Sequence, residues 1–128
     1  MNIKLGVVMD PIENINPIKD STLAMLLAAQ TRGWSLYYML PESLCFSEGT
    51  VKATSTELRV YDDDKKWFEF GITKDQATKD LDAIIMRKDP PFDMDFIYAT
   101  YLLEEAARQG TVVLNDPKSI RDCNEKLF

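Results

Sequence analysis

The chain opens with an apolar stretch, Ile3 to Met9, interrupted only by Lys4 and Gly6 and ended by Asp10-Pro11. A short apolar run closed by turn residues predicts a buried strand. Asp20-Ser21-Thr22 then offers capping oxygens ahead of "LAMLLAAQTR", and Gly33 stands where a left-handed carboxyl-terminal cap belongs, so a helix with both ends marked follows. Trp34 to Leu40, "WSLYYML", returns to strand character. Strand, helix, strand in that order implies a right-handed parallel crossover.

From Leu44 to Phe70 the rhythm changes. Short alternating pieces, "LCF", "TVKATS" and "TELRVY", are separated by Glu48-Gly49 and by the polar run Asp62 to Lys66, which predicts an antiparallel hairpin or meander inserted over about residues 41–70. Residues 71–80 read as a polar connection holding a short helix or turn. The earlier rhythm resumes with a strand over 82–87, a helix from about Asp93 to Gln109 stopped by Gly110, the strand "TVVLN" and a last helix opened by Asp116-Pro117. In the helix after 93, Asp93 and Asp95 sit near the positive end, Arg108 near the negative end, and Glu104 stands four residues before Arg108, all favourable placements. Phe96, Ala99, Leu103 and Ala106 share a face that Tyr98, Tyr101 and Leu102 widen, and core packing is expected of it before any ligand platform. The fold class expected is α/β: a Rossmann-like open, mainly parallel sheet flanked by helices, in a single domain over 1–128 with an inserted antiparallel hairpin region.

Composition narrows the function classes. With 128 residues one core is expected, and 45% hydrophobic against 28% charged residues sets the chain apart from disordered and fibrous classes. A net charge of -6 argues against a general nucleic-acid binder, while one local cation pair still suits a small anion. The first apolar run is too short for a signal-peptide core or a membrane span, so a cytoplasmic protein without a membrane partner is expected. Cys45 and Cys123 lack a metal-ligand or redox spacing and are expected to be reduced packing residues. Histidine is absent, which removes the commonest general base and the usual nucleophile pairs. Neither G-x-G-x-x-G nor G-x-x-x-x-G-K-[ST] occurs, so no recognised device cradles a nucleotide.

The candidate chemistry lies in "LDAIIMRKDPPFD", where an apolar run stops at Arg87-Lys88 and two prolines follow. In an open parallel sheet ligands bind beyond the carboxyl ends of strands, near the point where strand order reverses. Arg87 and Lys88 occupy such an end, Asp10 ends the first strand, and Pro90-Pro91 stiffen the turn. Arginine brings a planar fork for a carboxylate or phosphate, lysine a movable point charge. Two readings stand side by side here: a substrate-anion site, or Arg87 paired with Asp10 or Asp89 as structural glue. Asp20-Ser21 at a helix start likewise either receives an anion or merely caps the helix. Asp62 to Asp64 is expected to be a solvated turn, since consecutive residues point in different directions and Lys65-Lys66 weakens the field. Trp67, Phe68 and Phe70 serve either a partner or the core.

At "KLGVVMDPIENIN", "KDSTLAMLLAAQ", "IIMRKDPPFDMDFIYATYLLEEA" and "SIRDCNEKLF" the chain closely resembles the amino-terminal domain of bacterial glutathione synthetase. The resemblance covers both ends and most of the middle, with about residues 41–80 less distinctive. It implies an ATP-grasp ligase that joins γ-glutamylcysteine to glycine, using ATP and Mg2+ to form an acyl phosphate that the glycine amine attacks. It implies further that this chain is the Rossmann-like domain preceding the ATP-grasp domain and forms one wall of the peptide-substrate site, with Asp10, Ser21, Arg87 and Lys88 on the substrate side. The nucleotide lid, phosphate-binding lysines and magnesium ligands of the family lie farther along, so no catalytic, cofactor or metal residue is expected here and the chain alone is expected to be inactive. A homo-oligomer, a tetramer by family, is implied as well. Ile120, Cys123 and Leu127 share a face and the chain stops at Phe128 without a cap, from which an excised domain is expected. The alternatives are a phosphorelay receiver, which fails because Met86-Arg87 stands where a phosphate-accepting aspartate is needed, and a free-standing small-anion-binding α/β module.

Overall fold

The first strand, β1 (Lys4–Met9), is buried from its second residue onward. The computed structural model describes residues 3–18, 21–87 and 94–114. Within them β1 is followed by α1 (Ser21–Thr31), β2 (Ser35–Met39), β3 (Cys45–Ser47), β4 (Thr50–Val60), β5 (Phe68–Ala77), β6 (Ala83–Arg87), α2 (Met94–Arg108) and β7 (Val112–Leu114). β1 pairs in parallel with β2 on one side and β6 on the other, and β7 continues the parallel set beside β6. The other three pairings, β2 with β4, β3 with β4 and β4 with β5, are antiparallel.

The chain is therefore α/β, but its seven-stranded sheet is mixed. The expected mainly parallel arrangement holds only for the β2-β1-β6-β7 half. The inserted region accounts for the difference. β4, with eleven residues, pairs with β3 near its start and β2 near its end along one edge, and with β5 along the other.

Side chains alternate across the sheet with the two-residue period of a strand. Leu5, Val7, Met9, Leu36, Tyr38, Leu58, Val60 and Ile85 face α1, packing with Leu23, Leu26 and Ala29. Val8, Tyr37, Met39, Ala53, Ile84 and Met86 face α2, packing with Ala99, Leu102, Leu103 and Ala106. Gly6 belongs to this second face: a Cβ there would lie 2.6 Å from Met39 Cε and 2.8 Å from Leu81 Cδ1, both in the buried cluster. The glycine makes room for α2's side of the core.

Both helices end as their glycines predict. Gly33 has φ of 83°, its N–H donates to the Gln30 carbonyl, and Trp34 N–H donates to that of Ala29. Gly110 has φ of 106°, with Gly110 N–H donating to Ala107 and Thr111 N–H to Ala106. These paired bonds satisfy the last-turn carbonyls, and the positive φ explains the residue type. Arg108 meets Glu104 at 3.1 Å, the expected helix pair, and also Glu105 at 2.8 Å.

Each helix is also tied to β4 by an amide side chain. Gln30 of α1 accepts from Val60 N–H at 2.9 Å and donates to its carbonyl at 2.8 Å. At the end of α2, Gln109 accepts from Val51 N–H at 3.5 Å and donates to the Gly49 carbonyl at 3.0 Å. The glutamines satisfy backbone groups of β4 and of the turn that leads into it, lying beyond the residues that pair with β2.

Other expectations need correction. Residues 71–77, read as a connection, are the second half of β5, and only Thr78–Asp80 forms a short 3-10 turn. This half of β5 pairs through polar contacts such as Thr56 with Thr73 at 2.9 Å and Ser55 with Gln76 at 2.8 Å, so apolar alternation is missing. Gly71 and Ile72 together oppose Glu57 where the register shifts, and the bulge obscures the alternation further. Cys45 is exposed on β3 and does not pack in the core. Tyr98 and Tyr101 are likewise exposed, while Ala99, Thr100, Leu102, Leu103 and Ala106 are buried and the side chain of Phe96 lies outside those described. The proposed last helix from Asp116, Cys123, Asp20, Lys88 and Pro90-Pro91 lie outside the described residues.

Gly6→Ala is expected to lower stability by about 1–3 kcal/mol, because the added methyl overfills a closed part of the core. Urea unfolding of the two proteins measures it; an unchanged midpoint would show that Met39 and Leu81 move aside at no cost.

Candidate functional site

β1 and β6 lie side by side with Met9 in register with Arg87, so their carboxyl ends reach the same edge of the sheet. The helix following β1 packs on one face and the helix following β6 on the other. Connections that leave neighbouring parallel strands toward opposite faces open a crevice between them, the switch point at which ligands bind in such sheets.

Arg87 follows the parity of Ile85, which faces α1. Its half-buried guanidinium donates from Nε to Thr22 Oγ1 at 3.2 Å. Thr22 is buried and is the second residue of α1. A cation thus sits against a helix amino end, where the helix dipole itself is positive. Cation and helix amino end converging on one place suit an anion.

Asp10 is half-buried directly after β1. The loop it opens tightens at once into a 3-10 turn, Ile12–Asn14, with Asn14 N–H donating to the Pro11 carbonyl at 3.0 Å. Ile12 is fully buried in the α1-side core. Its N–H donates to the Tyr38 hydroxyl at 3.3 Å and its carbonyl accepts from Trp67 Nε1 at 2.9 Å. Burial raises the Tyr38 phenol above its ordinary 10.0, and the carboxylates of Glu13, Glu42 and Asp10 push the same way against the hydrogen bond from Ile12.

Of the residues singled out in the sequence, Asp10, Arg87 and the start of α1 at Ser21 come to one edge. Ser21 opens the helix, while its side chain and all of Lys88 lie outside the description. Trp67 and Phe68 are half-buried against the α1-side core and Phe70 is exposed, so the core reading fits the first two. Tyr38 and the loop contact of Trp67 were not foreseen. A side chain reaching a backbone group 26 or 55 residues away leaves no local pattern.

Asp63 Oδ1 accepts from Lys65 N–H at 2.9 Å in an exposed turn. Among the described residues no three Cys, Asp or Glu side chains gather as a metal-ion group. The residues at hand therefore do not fit magnesium, and with Asp10-Pro11 where a glycine-rich turn would hold phosphates, they do not fit a nucleotide either. A groove of about 470 Å³ lined by Trp34, Tyr37, Glu57, Arg59, Glu69 and Phe70 lies toward the amino end of β2, away from this edge. No helix among the described residues is long and apolar enough to cross a membrane.

These features define an α/β domain with a switch-point crevice whose rim carries an arginine at a helix start. The chain belongs to the family of the prokaryotic glutathione synthetase N-terminal domain, whose model matches residues 3–121. It is 58% identical to the glutathione synthetase of Pseudomonas syringae and 56% identical to that of Pseudomonas putida, over all 128 residues in each case. It is 56% identical over 126 residues to that of Escherichia coli, 98% of this chain. In all three comparisons the chain spans 40% of the relative's length. Such membership displaces the receiver reading.

The raised phenol makes stability pH-dependent in a definite direction. Below the ordinary value of 10.0 both folded and unfolded chains hold the Tyr38 proton and its contribution is intact. As pH rises past that value the unfolded phenol ionises first, so stability falls until the folded phenol ionises too. Urea midpoints measured from about pH 9 to pH 11 are expected to fall less for Tyr38→Phe than for the parent; parallel slopes would refute the assignment.

Proposed function

We propose that this chain is the substrate-side domain of a glutathione synthetase, the ATP-dependent ligase that joins γ-glutamylcysteine to glycine and releases ADP and phosphate. Its parallel half reads as a Rossmann-like unit standing before an ATP-grasp domain. That domain would bring the ATP and Mg2+ sites, the parent would work as a cytoplasmic homo-oligomer, and this chain would build one wall of the peptide site. The observation that carries the role within the family is Arg87, whose Nε reaches Thr22 in the first turn of α1 at the shared end of β1 and β6. A substrate bearing carboxylates matches a guanidinium fork backed by helix N–H groups. On this reading Asp10, Ser21 and Lys88 serve the same substrate, Asp10 as a carboxylate suited to its ammonium and Ser21 and Lys88 as a hydroxyl and a cation suited to its carboxylates. Nothing in this step requires chemistry from the domain itself, whose contribution is binding and orientation.

In a full-length enzyme carrying this domain, Arg87→Ala is expected to remove a charge-assisted hydrogen bond of about 1.5–3 kcal/mol, a loss of roughly 10- to 150-fold in kcat/KM for the dipeptide. Arg87→Lys should restore only part of it, because one ammonium cannot reproduce a two-pronged contact. Steady-state kinetics and Tm together decide: near-normal kcat/KM for Arg87→Ala with a lowered Tm would assign the residue to structure alone. The purified 128-residue chain is expected to bring about no magnesium-dependent ligation of γ-glutamylcysteine and glycine, and a turnover assay on protein free of host enzyme checks it.

A further inference from the structure

We propose that Tyr38 and Trp67 are positioning residues that clamp the β1–α1 loop against the substrate edge, so that the antiparallel insertion acts on the site through that loop. The inference rests on the reading of that edge as the dipeptide wall.

β1 ends at Met9, so the backbone of the loop after it has no sheet ladder to join. Ile12 is nevertheless fully buried, and a buried N–H and C=O must find partners. The N–H finds the Tyr38 hydroxyl from β2 at 3.3 Å, and the carbonyl takes Trp67 Nε1, just before β5, at 2.9 Å in addition to the longer 3.4 Å bond from Ile15 N–H within the turn. Burial of the isoleucine side chain and the turn's own bonds, Asn14 N–H to Pro11 and Ile15 N–H to Ile12, shape the loop locally but do not tie its peptide planes to the sheet. Bonds to both backbone groups of one residue fix its orientation as well.

The two arms of the clamp are not independent. Tyr38 stacks on Phe70 with ring centroids 5.3 Å apart, Phe70 meets Phe68 at 5.1 Å, and Phe68 meets Trp67 edge-on at 5.6 Å. One aromatic row therefore runs from the first arm to the second across β2 and β5. Tyr61 N–H donating to the Trp67 carbonyl at 2.9 Å closes the β4–β5 loop and fixes the row's far end. Asp10 lies two positions before the clamped residue, and the same loop delivers α1, whose Thr22 receives the Arg87 bond. Rocking of the Ile12 peptides would shift Asp10 and the start of α1 relative to Arg87. Displacements of that kind are costly where a ligand is held by charge-assisted, directional bonds.

The test uses a full-length enzyme carrying this domain, with Tyr38→Phe, Trp67→Phe, the double variant and Arg87→Ala. Both single variants keep the aromatic row and lose one clamp bond. Each is expected to speed amide exchange in residues 10–18 by about tenfold, and to raise KM for γ-glutamylcysteine by about 3- to 10-fold while kcat and the KM values for ATP and glycine stay within about twofold. The double variant should fall short of the product of the singles, because both bonds act on one residue. Faster exchange with an unchanged dipeptide KM, while Arg87→Ala still impairs the dipeptide, would overturn the positioning role and leave the substrate edge standing. Equal rises in all three KM values, or a lowered Tm alone, would also overturn it. If Arg87→Ala too leaves dipeptide kinetics untouched, the reading of the edge itself fails and the positioning role falls with it.

Discussion

Everything in this domain is arranged around a strand that has no free side. β1 is paired in parallel along both edges, and both of its faces are covered, by α1 on one and α2 on the other. A strand so placed can carry no charge in its interior and must keep one position small: Val7 and Val8 are wholly buried, and Gly6 leaves space for Met39 and Leu81. Parallel pairing on both edges aligns the carboxyl ends of β1, β2 and β6. Coverage of both faces makes the following connections part company. The crevice at the end of β1 and β6 is thus a consequence of how the central strand is buried, and the polar residues that end the strands are delivered there by necessity.

Besides the β2–β4 backbone ladder, side-chain hydrogen bonds join the antiparallel region to this centre. Gln30 and Gln109 come from helices on opposite faces, and each bonds both a donor and an acceptor of the β4 backbone or its leading turn. Trp67 adds a third tie, from the insertion to the loop after β1. A long polar strand such as β5, exposed along most of its length, contributes little apolar burial of its own. Its attachment rests on β4 and on these directional bonds, which fix where the insertion sits relative to the edge at which β1 and β6 end.

Arg87 illustrates how the family relationship and the geometry support each other. Its position at a strand end and its Thr22 contact are compatible with a purely structural role. On the proposed reading, a substrate bearing carboxylates gives the cation a chemical purpose.

The amino-acid sequence by itself determined β1, α1, β2, β6 and α2 to within a residue or two, because apolar periodicity and the capping residues at Gly33 and Gly110 are local. It also determined which strand ends carry Asp10 and Arg87, since a polar residue after an apolar run is visible without a fold. The extent of β5 was hidden: its second half is polar, and the bulge at Gly71-Ile72 breaks its alternation. Tyr98, Tyr101 and Cys45 looked like core residues because hydropathy cannot say where a neighbouring element stops. Only the tertiary structure decided that the sheet is mixed, that Arg87 meets α1 through Thr22, and that Tyr38 and Trp67 close on Ile12. Those outcomes depend on strand neighbours and on partners far apart in the chain, and pairing is chosen by the packing of the whole sheet, which no short window of sequence contains.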